Sequence, residues 1–153
     1  MTAAFTGHRY IDARKRQRVK ETLKNQIMEA YGRGYRNFMS GFALGFDMMA
    51  AETVVSLRET CPDIILTAAI PFKGQSIYFS NYDKRRYNHL LCQADEVMVL
   101  SENYYPRCFL ERDEFMVSHS SFLIAYYDGR ERGGTFYTVK KAREQGLPIA
   151  NVF

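Results

Sequence analysis

Residues 40–52 read SGFALGFDMMAAE, and this stretch decides the fold prediction for the chain. A short apolar run, Asn37–Met39, leads into it as a predicted strand, and a helical run, Met48–Leu57, leaves it. Gly41 and Gly45 frame a tight turn between the two, since glycine adopts positive φ angles and lets the main chain approach a ligand closely. The N–H groups at a helix start have no partner within the helix and attract anions, so this turn is a candidate phosphate cradle. The same spacing is also typical of an ordinary strand-to-helix connection.

Apolar runs and helical runs alternate along the rest of the chain. The predicted strands are Ala3–Thr6, Asn37–Met39, Ile64–Ile70, Glu96–Leu100, Ser121–Tyr126 and Ile149–Val152. The predicted helices are Asp12–Tyr31, Met48–Leu57, a helix capped by Ser80, Phe109–His119 and Phe136–Gln145. Short connections and right-handed crossovers predict an α/β fold: a doubly wound, mostly parallel sheet of about six strands with helices on both faces. We expect residues 1–153 to form a single domain.

Composition excludes several classes of protein. Hydrophobic residues make up 46% and charged residues 25% of the 153 residues, which is typical of a globular domain. No apolar run approaches the roughly 20 residues that span a bilayer, and the first residues do not resemble a signal peptide, so we expect a cytoplasmic protein without membrane association. Cys61, Cys92 and Cys108 are widely spaced, which favours free thiols over a disulfide framework or a metal site. The net charge of +4 permits phosphate or nucleic-acid binding without requiring it.

The candidate ligand site lies where the predicted strands end, because ligands of doubly wound sheets bind beyond the carboxyl ends of the strands. The predicted ligand- or phosphate-binding residues are Gly7, His8, Arg9, Ser40, Gly41, Gly45, Asp47, Lys73, Gly133, Gly134 and Thr135. The loops around Gly45 and Gly134 both precede helices and are candidate phosphate cradles, and Arg9 and Lys73 would neutralise the charge. We expect Asp47 to cap its helix or to meet a sugar hydroxyl. Valine at Gly45 or Gly134 is expected to abolish ligand binding and leave the fold largely intact.

Other side chains near the same edge have both a functional and a structural interpretation. Glu102 and Asp128 are candidates for acid–base catalysis and otherwise ordinary loop charges, and His8 is either an acid–base group or a hydrogen-bonding residue. Aromatic residues flank the edge as core or rim side chains, or as a stacking surface for a base: Tyr78, Phe79, Tyr82, Tyr104 and Tyr105. A basic run over residues 14–20 is typical of a solvated helix face, with nucleic-acid contact as the alternative.

Four segments carry a family resemblance. Residues 40–52 are similar to the S-G-x-A-x-G-x-D-x-x-A-A-H stretch of the DprA (Smf) family, and Gly133-Gly134-Thr135 to the P-G-G-x-G-T motif of the Lonely Guy (LOG) enzymes. The opening residues 5–9 and the segment 112–117 resemble the YpsA-like branch of the SMF/DprA–LOG (SLOG) superfamily. The resemblance spans essentially the whole chain, and it implies a Rossmann-like fold that binds nucleotides or nucleotide derivatives.

The resemblance leaves three functions open. The first is binding or sensing of a nucleotide-type ligand, including NAD or ADP-ribose-type molecules. The second is a nucleotide N-glycosidase of the LOG type; LOG enzymes use a glutamate just after their glycine motif, whereas residues 138–141 here, Thr-Val-Lys-Lys, offer no carboxylate. The third is DprA-like binding of single-stranded nucleic acid, which is not favoured because no helix-turn-helix or winged segment follows the last predicted strand. The ligand, any reaction, the biological process and the oligomeric state, including a homodimer, stay open.

Overall fold

The alternating runs form six strands and five helices in the computed structural model, which describes residues 1–153. The strands are β1 (Thr2–Gly7), β2 (Asn37–Ser40), β3 (Ile65–Ile70), β4 (Glu96–Val99), β5 (Phe122–Tyr126) and β6 (Ile149–Asn151). The helices are α1 (Arg16–Gly32), α2 (Phe46–Ser56), α3 (Asn81–Gln93), α4 (Cys108–Ser118) and α5 (Gly133–Glu144). The predicted α/β architecture is confirmed.

All neighbouring strands are parallel, in the order β4-β3-β2-β1-β5-β6. The central strand β1 pairs through Ala4 with Met39 of β2 and with Leu123 of β5. The chain runs outward from β1 to β4 on one side and returns to β5 on the other, so the strand order reverses next to β1. A crevice is expected at the carboxyl end of the strands at such a reversal.

Each face of the sheet packs against its own group of helices. Phe5, Phe38 and Leu66 point into the larger core cluster, which includes buried residues of α1, α2 and α3. Ala4 and Met39, which alternate with them along the strands, point into a smaller cluster with α4 and α5. Burial on both faces explains why the inner strands are continuous apolar runs rather than alternating ones.

Two helix starts differ from the sequence prediction more than the others do. Helix α5 begins at Gly133 rather than Phe136, so the Gly-Gly-Thr motif forms its first turn instead of a preceding loop. Helix α1 begins at Arg16 rather than Asp12, because Asp12 Oδ1 accepts the Arg14 N–H at 3.0 Å and holds a turn there. The predicted cap of α3 is confirmed, since Ser80 Oγ accepts the Asp83 N–H at 3.1 Å.

None of the five helices combines the length and the apolar character that crossing a bilayer requires.

The turn from β2 to α2 is held between two other parts of the chain. A Cβ atom on Gly45, whose φ is +85°, would lie 2.2 Å from the carbonyl oxygen of Arg9. A Cβ atom on Gly41 would lie 2.5 Å from Nη1 of Arg112. Both glycines are therefore required by close packing within the protein, and the expectation that valine at Gly45 leaves the fold intact is wrong.

We predict that Gly45→Ala destabilises the protein far more than Gly129→Ala. Both glycines have positive φ, but a Cβ on Gly129 would meet nothing within 4 Å. Positive φ costs an alanine about 1–2 kcal/mol at either position, and the overlap with Arg9 adds about 1–3 kcal/mol at Gly45 alone. Urea unfolding of both variants measures the difference. Equal losses of unfolding free energy would show that the Arg9 main chain shifts to accommodate the alanine Cβ atom without loss of stability.

Candidate functional site

Two adjoining cavities open at the carboxyl edge of the sheet. The first, called the crevice, has a volume of about 440 Å³ and lies between the end of β1 and the starts of α2, α4 and α5. The second, called the aromatic cavity, has a volume of about 670 Å³ and lies over the ends of β3 and β4. Arg9, Ala43 and Phe109 line both of them. One elongated ligand can therefore occupy the two cavities together.

The start of α5 presents free hydrogen-bond donors to the crevice. The N–H groups of Gly133, Gly134 and Thr135 make no hydrogen bond within the protein, and the preceding residue, Arg132, supplies no side-chain cap. All four residues line the crevice. Free N–H groups and the partial positive charge of a helix N-terminus favour an anion at this position.

At the start of α2, the other predicted phosphate cradle, main-chain N–H groups already donate hydrogen bonds within the protein. The N–H of Phe46 donates to the carbonyl oxygen of His8 at 3.2 Å, and the N–H of Met48 donates to that of Ala43 at 3.2 Å. With Gly45 also packed on the Arg9 main chain, this turn offers a ligand much less than the start of α5 does.

Three arginines line the crevice; two of them are exposed and unpaired, and the third is buried and paired. Arg9 and Arg132 are exposed and form no ion pair with the protein, so their charges are available to a ligand. Arg112 is only 4% exposed: its Nε donates to Asp113 Oδ1 at 2.8 Å, and its Nη1 donates to the carbonyl oxygens of Gly41 at 2.6 Å and Ala69 at 3.2 Å. Arg112 thus joins α4 to β3 and to the turn after β2.

Two carboxyl groups in the crevice have perturbed acidities. Burial raises the pKa of Asp47 to about 7, against the opposing effect of the Arg112 charge. The pKa of Asp113 is raised as well, again because of burial, although Arg112 is its ion-pair partner. Asp47 Oδ1 is buried and has no hydrogen-bond partner in the protein. A perturbed carboxyl group in a cleft is a frequent mark of a functional site.

The aromatic cavity has an apolar wall suited to a planar ring. Phe72 meets Tyr104 edge to face at 5.6 Å between ring centroids and Phe109 at 6.0 Å. Tyr78 is 96% exposed at its rim. Buried Gln75 supports the inner side, because its Nε2 donates to the carbonyl oxygen of Gly41 at 3.1 Å. Aromatic walls with few polar groups are typical of ligand pockets.

The structure brings together seven of the predicted site residues in the crevice: Gly7, His8, Arg9, Asp47, Gly133, Gly134 and Thr135. Four others line neither cavity: Ser40, Gly41, Gly45 and Lys73. The Ser40 hydroxyl donates to the main-chain oxygen of Asp47 at 2.8 Å, and the Lys73 side chain is exposed away from both cavities.

The two candidate catalytic carboxylates lie apart from the crevice. Glu102 lines the aromatic cavity. Asp128 packs on His8, whose Nε2 lies 3.1 Å from its Oδ1 and accepts its N–H at 3.0 Å. The N–H of Arg130 is the main cause of the lowered pKa of Asp128, and this keeps the carboxylate ionised. Neither group lines the crevice.

The sequence prediction missed Arg112 and Asp113, the charged pair at the centre of the crevice. Cys108, Arg112 and Met116 are the buried residues four apart on α4, so Arg112 stands in the middle of an apolar stripe. A charged residue on such a stripe is rarely buried unless it is paired, and this pattern would have indicated its role. Phe72, Phe109 and Arg132 were also missed, because only the fold shows which residues of separate loops and helices meet.

Comparison with known proteins places the chain among bacterial relatives. The model of the YspA SLOG family matches residues 5–148. The UPF0398 protein YpsA of Bacillus subtilis is 30% identical over 137 residues, which cover 86% of this chain and 76% of that protein. A UPF0398 protein of Shouchella clausii is 31% identical over 128 residues, covering 82% and 68%.

Two solved structures share the fold. DNA processing protein A from Helicobacter pylori, which binds single-stranded DNA, superposes with a TM-score of 0.65 at 19% identity; the match covers 97% of this chain and 63% of that one. The X-ray structure of TM1055, a structural genomics target, gives a TM-score of 0.59 at 13% identity and covers 97% and 72%. At these identities the likeness extends to the fold alone.

We predict that Asp47→Asn stabilises the protein at pH 8 and much less at pH 5. Unfolded Asp47 loses its proton near the ordinary value of 3.8, whereas folded Asp47 keeps it until about pH 7. Between these values the folded state binds more protons, so its stability falls as the pH rises and levels off above pH 7. The difference of about three between the two pKa values corresponds to about 4 kcal/mol, and asparagine, which stays neutral, avoids that loss.

Urea unfolding of the wild type and Asp47→Asn across pH 4.5–8.5 measures this effect. A Glu102→Gln control, at an exposed carboxylate with no ion-pair partner, should leave the pH profile of the wild type unchanged. A difference between Asp47→Asn and the wild type that does not grow with pH would contradict the burial of an ionisable Asp47.

Proposed function

Because this chain belongs to the YspA SLOG family, whose model matches residues 5–148, we propose that its crevice and aromatic cavity together bind a nucleotide or nucleotide-derived ligand. The observation that carries the proposal is the set of free N–H groups at Gly133, Gly134 and Thr135, flanked by two unpaired arginines. A phosphate group is the ligand chemistry that such a set recognises best.

Charge supports a phosphate at the start of α5. Arg9 and Arg132 have no carboxylate partner, while Arg112 and Asp113 compensate each other. Asp113 Oδ2 would lie 3.8 Å from a Cβ atom on Gly134, so one carboxylate stands close to the donors without bonding to them. The local balance of charge is positive, since Arg112 and Asp113 compensate each other and the two free guanidinium groups outweigh the single carboxyl group of Asp47.

Shape supports a base in the aromatic cavity. Its volume of about 670 Å³ lies within the range of about 300–1,000 Å³ typical of small-molecule sites. Phe72, Tyr104 and Phe109 supply ring faces and edges, and π-faces stack on any base without sequence preference. The shared wall of Arg9, Ala43 and Phe109 lets a sugar join a phosphate in the crevice to a base in the aromatic cavity.

Binding is better supported than hydrolysis of an N-glycosidic bond. A hydrolase of this kind needs a carboxylate that activates water beside the sugar. Asp128 is engaged by His8 and Arg130, and Glu102 faces the aromatic cavity rather than the crevice. Of the two carboxyl groups that do line the crevice, Asp113 is ion-paired and Asp47 is buried, so neither is an exposed carboxylate that could hold and activate a water.

The first test is calorimetric titration with the four ribonucleoside 5′-monophosphates, NAD and ADP-ribose. Chromatography of the same mixtures detects any free base or nicotinamide, and an oligothymidylate titrated at two salt concentrations probes nucleic-acid binding. We expect saturable binding of at least one nucleotide without release of base. Release of free base would favour the N-glycosidase alternative. Binding of the oligonucleotide alone, with an affinity that depends steeply on salt, would favour single-stranded nucleic-acid binding.

We predict that Gly134→Val weakens nucleotide binding at least tenfold while the protein stays folded. A Cβ atom on Gly134 would meet nothing nearer than 3.8 Å, so the fold tolerates it, but a branched side chain covers the N–H groups that the phosphate needs. Gly32→Val is the matched control, because Gly32 ends α1 at the opposite edge of the sheet with open space around it. Unchanged nucleotide affinity of Gly134→Val would show that the phosphate does not bind at the start of α5.

We predict that Arg9→Ala reduces nucleotide affinity by about ten- to a hundredfold, the worth of a hydrogen bond to a charged group. Arg9→Lys should recover only part of it, since an ammonium group cannot make the two-pronged contact of a guanidinium. Arg9 forms no ion pair, so the melting temperature without ligand should not change. Its one aromatic contact is loose, at 5.9 Å from the Phe109 ring centroid.

The control for Arg9 is Lys73→Ala, which removes an exposed cation at the same sheet edge that lines neither cavity. Thermal shift measurements with and without nucleotide distinguish an arginine that stabilises the fold from one that contacts the ligand. If Arg9→Ala melts early without ligand and the folded fraction binds nucleotide normally, Arg9 is a structural residue and not a ligand contact.

A further inference from the structure

The crevice contains one polar atom that the protein leaves without a partner. Asp47 Oδ1 is buried, with only 7% of the residue exposed, and makes no hydrogen bond. An unpaired buried acceptor costs about 1–3 kcal/mol, so native proteins rarely keep one without a purpose. Ser120 Oγ is the other such side-chain atom, and Ser120 lines neither cavity.

No neighbouring side chain donates to Asp47 Oδ1, and the N–H of Ala43 is the one main-chain donor that acts on its carboxyl group. The Arg112 guanidinium is directed to Asp113 and to two main-chain oxygens through Nε and Nη1. The Ser40 hydroxyl donates to the main-chain oxygen of Asp47, not to its carboxyl group. A ligand in the crevice, which Asp47 lines, is placed to supply that donor.

The position of Asp47 identifies the part of the ligand that it meets. The free donors of α5 lie in one wall of the crevice, and the boundary with the aromatic cavity is formed by Arg9, Ala43 and Phe109. Ala43 and Asp47 belong to the same turn into α2, and the Arg9 main chain packs on Gly45 between them. With phosphate on α5 and a base in the aromatic cavity, the group between them, over Asp47, is the sugar.

We propose that Asp47 accepts a hydrogen bond from a ribose hydroxyl of the ligand, so that the site selects ribonucleotides over their deoxy counterparts. This inference rests on the proposed nucleotide binding and adds the sugar specificity of the same site. A buried acceptor discriminates strongly, because a ligand that lacks the hydroxyl leaves the acceptor unpaired.

The test compares the best-binding ribonucleoside 5′-monophosphate with its 2′-deoxy and 3′-deoxy forms by calorimetry. We expect at least one deoxy form to bind the wild type about ten- to a hundredfold more weakly. In Asp47→Ala the ratio of ribo to deoxy affinity should fall to near one, while the deoxy form binds both proteins similarly. Asp47→Asn, which keeps the shape of the side chain, serves if the alanine variant does not fold.

The control is Glu131→Gln, which changes an exposed carboxylate that lines neither cavity. It should keep the wild-type preference for ribose. Equal affinity of the wild type for all three sugars would overturn the inference and leave nucleotide binding standing. A ribose preference that survives in both Asp47 variants would overturn it too, whereas no binding of any nucleotide by the wild type would refute the proposed function itself.

Discussion

The turn between β2 and α2 passes between the Arg9 main chain and the Arg112 guanidinium, with no room for a Cβ atom at either contact. Gly41 and Gly45 satisfy this constraint. The carbonyl oxygen of Gly41 then accepts hydrogen bonds from Arg112 and from Gln75, so α4 and the loop after β3 converge on one atom. The carboxyl ends of β1, β2 and β3 are thereby fixed relative to one another, and the two cavities take their shape from that arrangement.

The same packing sets the electrostatics of the crevice. Placing Asp47 directly after the tight turn buries its carboxyl group next to the Arg112–Asp113 pair, and burial rather than a lack of nearby cations raises its pKa. The buried pair costs desolvation free energy, which its additional hydrogen bonds to main-chain oxygens offset. Because Arg112 is engaged in this way, the charges free to meet a ligand are those of Arg9 and Arg132. Both of these arginines line the crevice, so their positive charge is available to a ligand there.

Much of the fold could be predicted from the sequence, since apolar runs of strand length alternated with helical runs and turn residues. The order of the strands was not predicted and comes from the structure. Element ends were less accurate: α5 starts at Gly133 because glycine tolerates the φ of +91° that opens the helix, whereas the apolar pattern begins only at Phe136. The resemblance to the SLOG superfamily and its YpsA-like branch is confirmed by the family match.

The candidate site was predictable only in part, and the reason is physical. Strand-end residues such as Arg9 and Gly134 could be found because topology alone brings strand ends together. Whether a glycine serves a ligand or a neighbouring chain segment depends on atoms distant in sequence, and for Gly45 that segment is Arg9. Arg112 lies in the interior of a helix, where no turn chemistry marks it. Its place in the apolar stripe of α4 marks it as a buried, paired charge, but its partners become visible only when α4 is packed onto the sheet.

A crystal structure of the protein with a bound nucleoside 5′-monophosphate tests the central claim most directly. The account predicts the phosphate about 3 Å from the N atoms of Gly134 and Thr135, with Arg9 or Arg132 in contact and the base beside Phe72 and Tyr104. A phosphate seated on the turn 41–45 instead, or a nucleotide outside both cavities, would contradict it.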